Sequence, residues 1–393
     1  MNWDFLIKDK DAITVTTDSR KITPGCVFVA FKGEHFDGND YIEQAKRDGA
    51  IYCIGGDNAL AELQDLARAW RRQWNKTIIG ITGTNGKTTT KELTAAVLKT
   101  KYNVHYTQGN LNNSIGVPLT LLQLTSAHEL AIVEMGASHP GDIQELVNVA
   151  EPNYGLITNV GRAHLQGFGS FEGVQQTKRE LYDYLVAHKG TIFRNADNPY
   201  LTQMYETAVA NHQSLITNLS SLYHTISMPS GTHLVGDYNA ENIAAAIAVG
   251  QHFGISEADA LAAIRAYVPS NHRSQACKTE HNELVIDAYN ANPTSMQAAI
   301  NAFKGDTFIL GSMRELGEYE HFEHQNIANM LLERKAEEVY LIGDEWKQTT
   351  APYPIYHSVE DLYAYLQTHP LTHRHILIKG SNSNHLDRIL PVL

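Results

Sequence analysis

Apolar residues recur along this chain in two alternating rhythms. From about residue 77 onward, short unbroken apolar runs such as Thr77-Ile-Ile-Gly-Ile-Thr82 are followed by longer stretches with apolar residues three and four apart. Runs of the first kind predict strands buried on both faces, and the second kind predicts helices with one buried face. Their alternation predicts α/β units built on mostly parallel sheets. Strands are predicted at Thr77–Thr82, 130–135, 155–160, 190–195, 283–288, 307–310, Glu338–Ile342 and 375–378, with helices at 88–100 and 240–251 among others. Residues 1–75 read differently. Short strand candidates at 13–17, 27–31 and 51–54 surround the turn-rich run Lys32-Gly-Glu-His-Phe-Asp-Gly-Asn39, and a helical stretch Ala59–Trp74 closes the section. Pro269-Ser-Asn-His-Arg273 reads as a linker, and no internal repeat is visible. The expected organisation is three domains, at 1–75, 76–268 and 269–393.

Composition narrows the classes. With 393 residues, 43% hydrophobic and 19% charged, the chain is of ordinary globular type and long enough for two or three cores. The net charge of −12 argues against bulk nucleic-acid binding, because no basic face offsets phosphate repulsion. It leaves open a phosphate ligand held by local donors. Cys26, Cys53 and Cys277 are odd in number and far apart, so they build neither a disulfide framework nor a CxxC metal site. No apolar stretch approaches the ~18 residues of a membrane span, and the first residues lack a signal-peptide core. A reducing, cytoplasmic setting is expected.

The strongest chemical signal is Gly83-Thr84-Asn85-Gly86-Lys87-Thr88-Thr89, between a predicted strand and a predicted helix. Glycines let backbone N–H groups turn inward around phosphate oxygens. The helix start adds positive potential, Lys87 supplies a point charge, and Thr88 offers a hydroxyl to Mg²⁺. The match to G-x-x-x-x-G-K-[ST] is imperfect, since Ile81 stands where the first glycine belongs. Glu134 ends one apolar strand and His164 follows another, where ligands of an open parallel sheet gather. Each also reads as a capping carboxylate or a solvated loop histidine. Together with Lys87 they favour ATP or GTP hydrolysis or transfer.

Further segments carry a resemblance. They are Asp18-Ser-Arg20 with Pro24-Gly25, Gly33-Glu-His-Phe-Asp-Gly38, the phosphate loop, Gly109-Asn-Leu-Asn-Asn-Ser-Ile-Gly-Val-Pro118 and Glu134-Met-Gly-Ala-Ser-His-Pro-Gly-Asp142. Residues 159–164, Gly236-Asp-Tyr-Asn-Ala-Glu-Asn242, Asn271-His-Arg273, Asp287-Ala-Tyr-Asn-Ala-Asn-Pro293, Gly311-Ser-Met-Arg-Glu-Leu-Gly317 and Lys379-Gly-Ser381 follow in order. The set resembles the Mur ligase family, ATP-dependent amide-forming enzymes of peptidoglycan assembly. Within it the segments favour the branch that adds D-alanyl-D-alanine to a UDP-N-acetylmuramoyl tripeptide. The resemblance implies a three-domain α/β architecture, with a small N-terminal domain, a central P-loop parallel-sheet domain and a C-terminal Rossmann-like domain. It implies an acyl-phosphate intermediate made from ATP. Gly83 to Thr89 would hold the phosphates, Thr88 and Glu134 one Mg²⁺, and His164 with a carbamylated Lys178 a second. Read by itself, Lys178 is an ordinary helix-surface lysine. Asn239 and Asn242 match the adenine contact, with helix capping as the competing reading, and Arg273 matches an arginine reaching the phosphates. Ser19, Arg20, Gly33, Phe36, Asp37 and Gly38 match the region holding the UDP-sugar. Asn110, Asn112, Asn113, Asn290 and Asn292 join the expected substrate set.

Two departures from the family pattern stand out. Ala288 occupies the usual aspartate position, with Asp287 one residue earlier; one step reverses direction in a strand, so a ribose contact from Asp287 requires the strand to end there. Asn382 stands where an arginine is common, removing a cation from the last motif. The remaining alternatives are a sister Mur ligase, a folylpolyglutamate-type ligase with another amine acceptor, and a P-loop regulator that binds nucleotide without ligation. No nucleic-acid partner is expected, and a monomer is the default.

Overall fold

The computed structural model describes residues 2–212, 220–269 and 273–393, so Asn271 and His272 of the predicted linker motif lie outside the described residues. Three sheets organise the described chain. The first is small and parallel, in the order β1 (Val15–Thr16), β2 (Val27–Val29), β3 (Tyr52–Ile54). The second joins β4 (Thr77–Thr82), β5 (Val104–Tyr106), β6 (Leu130–Glu134), β7 (Tyr154–Ile157), β8 (Thr191–Asn195) and β9 (Ser220–Tyr223). Its spatial order is β5-β6-β4-β7-β8-β9, and every pairing is parallel. The third contains β10 (Gln275–Lys278), β11 (Glu283–Asp287), β12 (Thr307–Gly311), β13 (Glu338–Ile342), β14 (Ile355–Tyr356) and β15 (His375–Lys379). Its order is β10-β11-β15-β12-β13-β14, parallel except for the antiparallel β10–β11 edge.

The central sheet explains why its strands read as apolar runs. Ile78 and Ile79 point to opposite faces, and both are fully buried, as are Ile132 and Val133. Glu134 is the lone carboxylate of β6 and falls at its carboxyl end. The chain leaves β4, builds β5 and β6 on one side, then crosses to β7 on the other. The crevice therefore opens beside β4, where the phosphate loop begins.

The helix Ala59–Trp74 follows the predicted bounds. Leu63, Leu66, Ala67 and Trp70 form its buried stripe, at the spacing a helix face requires. It ends at Asn75, in left-handed conformation with φ 46°. That stripe shares one core with Val27 and Val29 of the first sheet and with Ile78, Leu121 and Ile143 of the central unit. Trp70 Nε1 donates to Leu124 O at 3.1 Å, and Arg71 Nε to Ala150 O at 3.0 Å. At roughly 1.5–3 kcal/mol per buried large apolar side chain, this stripe fixes the small sheet firmly against the centre.

No helix among the described residues is long and apolar enough to cross a membrane.

Candidate active site

The loop from Gly83 to Thr89 turns at the carboxyl end of β4 and opens the helix Lys87–Leu98. Two glycines are required by contact as well as by φ. A Cβ at Gly83 would lie 2.0 Å from Thr158 Oγ1, and one at Gly86 (φ 79°) 2.3 Å from Asn242 Oδ1. The loop is braced from β7's end: Thr84 N donates to Asn159 O at 2.9 Å, Asn85 N to Asn159 Oδ1 at 3.0 Å, and Thr158 Oγ1 to Asn85 O at 2.6 Å. The first-turn amides of the helix have no intrahelical acceptor and face the crevice end. Lys87 Nζ folds back onto Gly83 O at 2.7 Å and Thr84 O at 2.9 Å. Burial, with Arg273 adding repulsion, holds its ammonium down to about 8.

Thr88 Oγ1 donates to Glu134 Oε1 at 3.1 Å, and Asn112 Nδ2 donates to the same oxygen at 2.8 Å. Glu134 is 1% exposed, and its Oε2 is buried without a hydrogen bond. Lys91 Nζ, itself fully buried, stands 3.6 Å from that oxygen. Among the described residues, no group of three or more His, Cys, Asp and Glu side chains forms a metal cage. One hydroxyl and one under-satisfied carboxylate suit Mg²⁺, which keeps waters and takes its other oxygens from substrate phosphates.

His164 caps the short helix Leu165–Phe168 in left-handed conformation, φ 50°, and its Nδ1 is engaged by the Glu315 carboxylate from the third sheet's side. Burial pushes the imidazole below its ordinary value, while Glu315 pulls the other way. Lys178 corrects the reading of a helix-surface lysine. It is 2% exposed on the inner face of Phe171–Ala187, with its ammonium over the Phe168 ring at 5.3 Å. Burial first, then Lys87, lower its pKa well below the ordinary lysine value. Lys178 is not among the residues lining the cleft beside the phosphate loop.

A cavity of about 930 Å³ gathers most of the predicted set. Thr84 to Thr89, Asn112, Asn113, Glu134, His164, Asn239, Asn242, Arg273, Asp287 and Asn290 line it. Asn239 and Asn242 do not cap their helix, because Tyr238 holds the cap position without a side-chain bond. Instead Thr90 Oγ1 donates to Asn242 Oδ1 at 3.0 Å, and Asn242 Nδ2 to Asn239 Oδ1 at 3.0 Å, tying this helix to the phosphate-loop helix. Arg273 stacks on Tyr289, Cζ to ring centre 3.7 Å, and its buried Nε lacks a partner. β11 ends at Asp287, which faces the cavity and accepts from Lys379 Nζ at 2.6 Å, so the one-residue offset does not turn this carboxylate away.

Other predicted residues lie elsewhere. Ser19, Arg20, Gly33, Phe36, Asp37, Gly38 and Asn110 fall outside the cavity lining. Arg20 is exposed and paired with Asp18, Nε to Oδ1 2.9 Å, and Phe36 is 64% exposed. Asn292 caps the helix Pro293–Ala302 and donates from Nδ2 to Asn85 Oδ1 at 2.8 Å. Sequence reasoning missed Asn159, Glu315 and Lys379 as members of the site, although all three fall within quoted motifs.

Comparison with known proteins agrees with this geometry. The Mur ligase family catalytic domain matches residues 13–107, the Mur ligase middle domain 81–250, and the Mur ligase glutamate ligase domain 272–382. UDP-N-acetylmuramoyl-tripeptide--D-alanyl-D-alanine ligase of Bacillus subtilis is 35% identical over 364 residues, covering 84% of this chain and 79% of the relative. The enzyme of that name from Escherichia coli is 33% identical, covering 96% and 93%. Among solved structures, MurF ligase from Thermotoga maritima in complex with ADP superposes with TM-score 0.85 at 26% identity, covering 98% of both chains. MurF from Acinetobacter baumannii gives 0.83 at 25% identity, covering 96% and 92%. Ordered motifs, a phosphate loop beside β4, and matches spanning all three sheets lead to one assignment: the chain belongs to the Mur ligase family.

Proposed function

We propose that this chain is an ATP-dependent ligase that joins D-alanyl-D-alanine to UDP-N-acetylmuramoyl-tripeptide, giving the pentapeptide precursor of peptidoglycan in the cytoplasm. The observation that carries the reading is a single cleft lined by Lys87, Thr88, Glu134, His164 and Arg273, drawn from two sheets. Two anions, a peptide carboxylate and a triphosphate, need such a concentration of cations and amide dipoles to meet. The relatives named above point to the same substrates. In this reading residues 1–75 receive the UDP end through Ser19, Arg20 and the 33–38 loop, 76–268 hold ATP, and 269–393 bring the dipeptide.

Lys87 leaves its loop carbonyls for the β- and γ-phosphate oxygens, and the first-turn amides cradle the same group. Arg273, with an unpaired Nε already buried, closes on the phosphates from the third sheet's side. Asn239 and Asn242 border the adenine, and Asp287 the ribose. Magnesium, when bound, would be held by Thr88 and Glu134, and at a second position by His164 and a carbamate of Lys178, and it supplies neutralisation of phosphoryl charge. A tripeptide carboxylate oxygen bonds to the γ-phosphorus as the bond to the β-bridging oxygen breaks and ADP leaves. The dipeptide amine then bonds to the acyl carbon. The carbon–oxygen bond breaks, phosphate leaves with the electron pair, and Glu315 takes the proton shed by the amine. Closure around the acyl phosphate keeps water from hydrolysing it.

The test is phosphate release that depends on both UDP-tripeptide and D-alanyl-D-alanine. Lys87→Ala is expected to lower it by roughly 10³-fold or more while thermal unfolding stays near wild type. A variant retaining most of that release would refute the role given to Lys87.

A further inference from the structure

A second cavity, of about 480 Å³, opens beside the main cleft. The two share His164, Tyr289, Asn290 and Glu315 on their walls, so one end of a molecule in the side cavity reaches the main cleft. Arg314, Asn382 and Ser383 contribute to the remaining wall. Arg314 and Glu315 are neighbours in sequence but engage opposite partners. Glu315 meets His164 at the junction, while Arg314 Nε donates to Ser383 Oγ at 3.4 Å and its NH1 pairs with Glu345.

Arg314 is the one lysine or arginine on the wall of this cavity among the described residues. Its partner Glu345 is mostly buried, with a side chain 14% exposed, and its Oε1 holds the guanidinium at NH1. A guanidinium carries five N–H donors in a planar fork, so Ser383 and Glu345 leave donors for a further carboxylate. The cavity is therefore polarised, with Glu315 at the junction and Arg314 set apart from it. A zwitterion fits that polarity in one direction only, ammonium toward Glu315 and carboxylate toward Arg314. A UDP-linked peptide is too large for a space of about 480 Å³.

Resting on the functional reading above, we infer that this side cavity receives the incoming dipeptide and that Arg314 holds its terminal carboxylate. Two residues span ~7 Å from amine to carboxylate, the scale of a cavity this size. Arg314 makes no bond to a reacting atom. It sets how the amine is presented and which acceptors are taken, and neutral Asn382 on the same wall adds no charge of its own.

Steady-state kinetics on the full chain, with D-alanyl-D-alanine and D-alanyl-D-alaninamide as alternative acceptors, tests the assignment. Wild type is expected to prefer the free carboxylate. Arg314→Met is expected to raise the dipeptide KM roughly 10- to 100-fold and to erase that preference, with the ATP KM and kcat within about twofold, which also reports an intact fold. Placing a cation on the neighbouring position, Asn382→Arg in the Arg314→Met background, is expected to recover at least part of the preference. An Arg314→Met enzyme that keeps both the dipeptide KM and the preference for carboxylate over amide overturns the anchor alone. A wild-type enzyme that releases no phosphate on addition of the dipeptide overturns the functional reading, and the anchor with it.

Discussion

Lys178 is the residue at which composition misleads most. A lysine within Gln176-Thr-Lys-Arg-Glu180 reads as solvated, because lysine is almost never fully buried without a reason. The reason here is three-dimensional: the inner face of its helix packs against Phe168, and Lys87 approaches from another element. Burial lowers its pKa, so a neutral amine becomes accessible, and a neutral amine adds CO₂ to give a carbamate and a proton. The modified side chain exchanges an ammonium for an anionic oxygen donor. Wild-type protein in isotopically labelled bicarbonate is expected to show a carbamate carbon signal that Lys178→Arg lacks; matching spectra from the two would sink the idea. Glu315 teaches the converse lesson. Its motif was visible, but its role was not, because its partner His164 lies 151 residues away. Spacing can flag a segment without saying which of its side chains turns toward a partner from another domain.

At the scale of elements, long periodic segments were legible and short edges were not. Ala59–Trp74 and Thr77–Thr82 follow their predicted bounds because a full helix face or a doubly buried strand leaves a complete pattern. β5, β9, β10 and β14 are two to four residues long, lie toward the edges of their sheets, and exist only because a neighbour offers its hydrogen bonds. β5 carries a consequence for acid stability. His105 is part-buried beneath the helix Gly116–Leu121, its Nε2 donates to Thr120 O at 3.0 Å, and its ring lies 5.1 Å from that of His128. Burial, then His128, depress it from 6.5 to about 4. Between those values the unfolded chain binds more protons than the folded one, so stability is full above pH 6.5 and falls as pH drops toward 4. At pH 5 the loss is about 2 kcal/mol. His105→Gln, which can keep the bond to Thr120, is expected to reduce the loss of unfolding free energy between pH 7.5 and pH 5, read from urea titrations, by that amount. An unchanged acid slope would show that this edge strand opens before the histidine is protonated.

At the scale of the molecule, the cleft depends on how the third sheet is held against the second. The first sheet shares an extensive apolar core with the centre, whereas the third meets it through small apolar contacts, Tyr319 against Leu165 and Phe168 and Val235 against the third sheet's own core, and through polar contacts at the cleft. Arg162 NH1 lies 2.9 Å from Glu323 Oε1, Arg162 N donates to Thr294 Oγ1 at 3.0 Å, Asn292 bonds Asn85 on the phosphate loop, and Glu315 meets His164. Such contacts exchange readily with water, so the same residues that assemble the site also let it open for substrates and products. Glu323 is the sensitive member, since its side chain is 2% exposed and Arg162 is its cationic partner. Removing the arginine leaves a nearly buried carboxylate without its counter-charge, and opening the interface is how that carboxylate regains water. Because the arginine itself is half exposed, the cost is about 1–2 kcal/mol rather than that of a fully buried pair. Arg162→Ala is therefore expected to enlarge the radius of gyration of the ligand-free protein in small-angle scattering. ADP with UDP-tripeptide should restore compaction, and the KM for ATP should rise roughly tenfold while kcat changes little. If scattering and KM both stay at wild-type values, closure is not governed by this pair, and the apolar contacts flanking the cleft must hold the two sheets together instead.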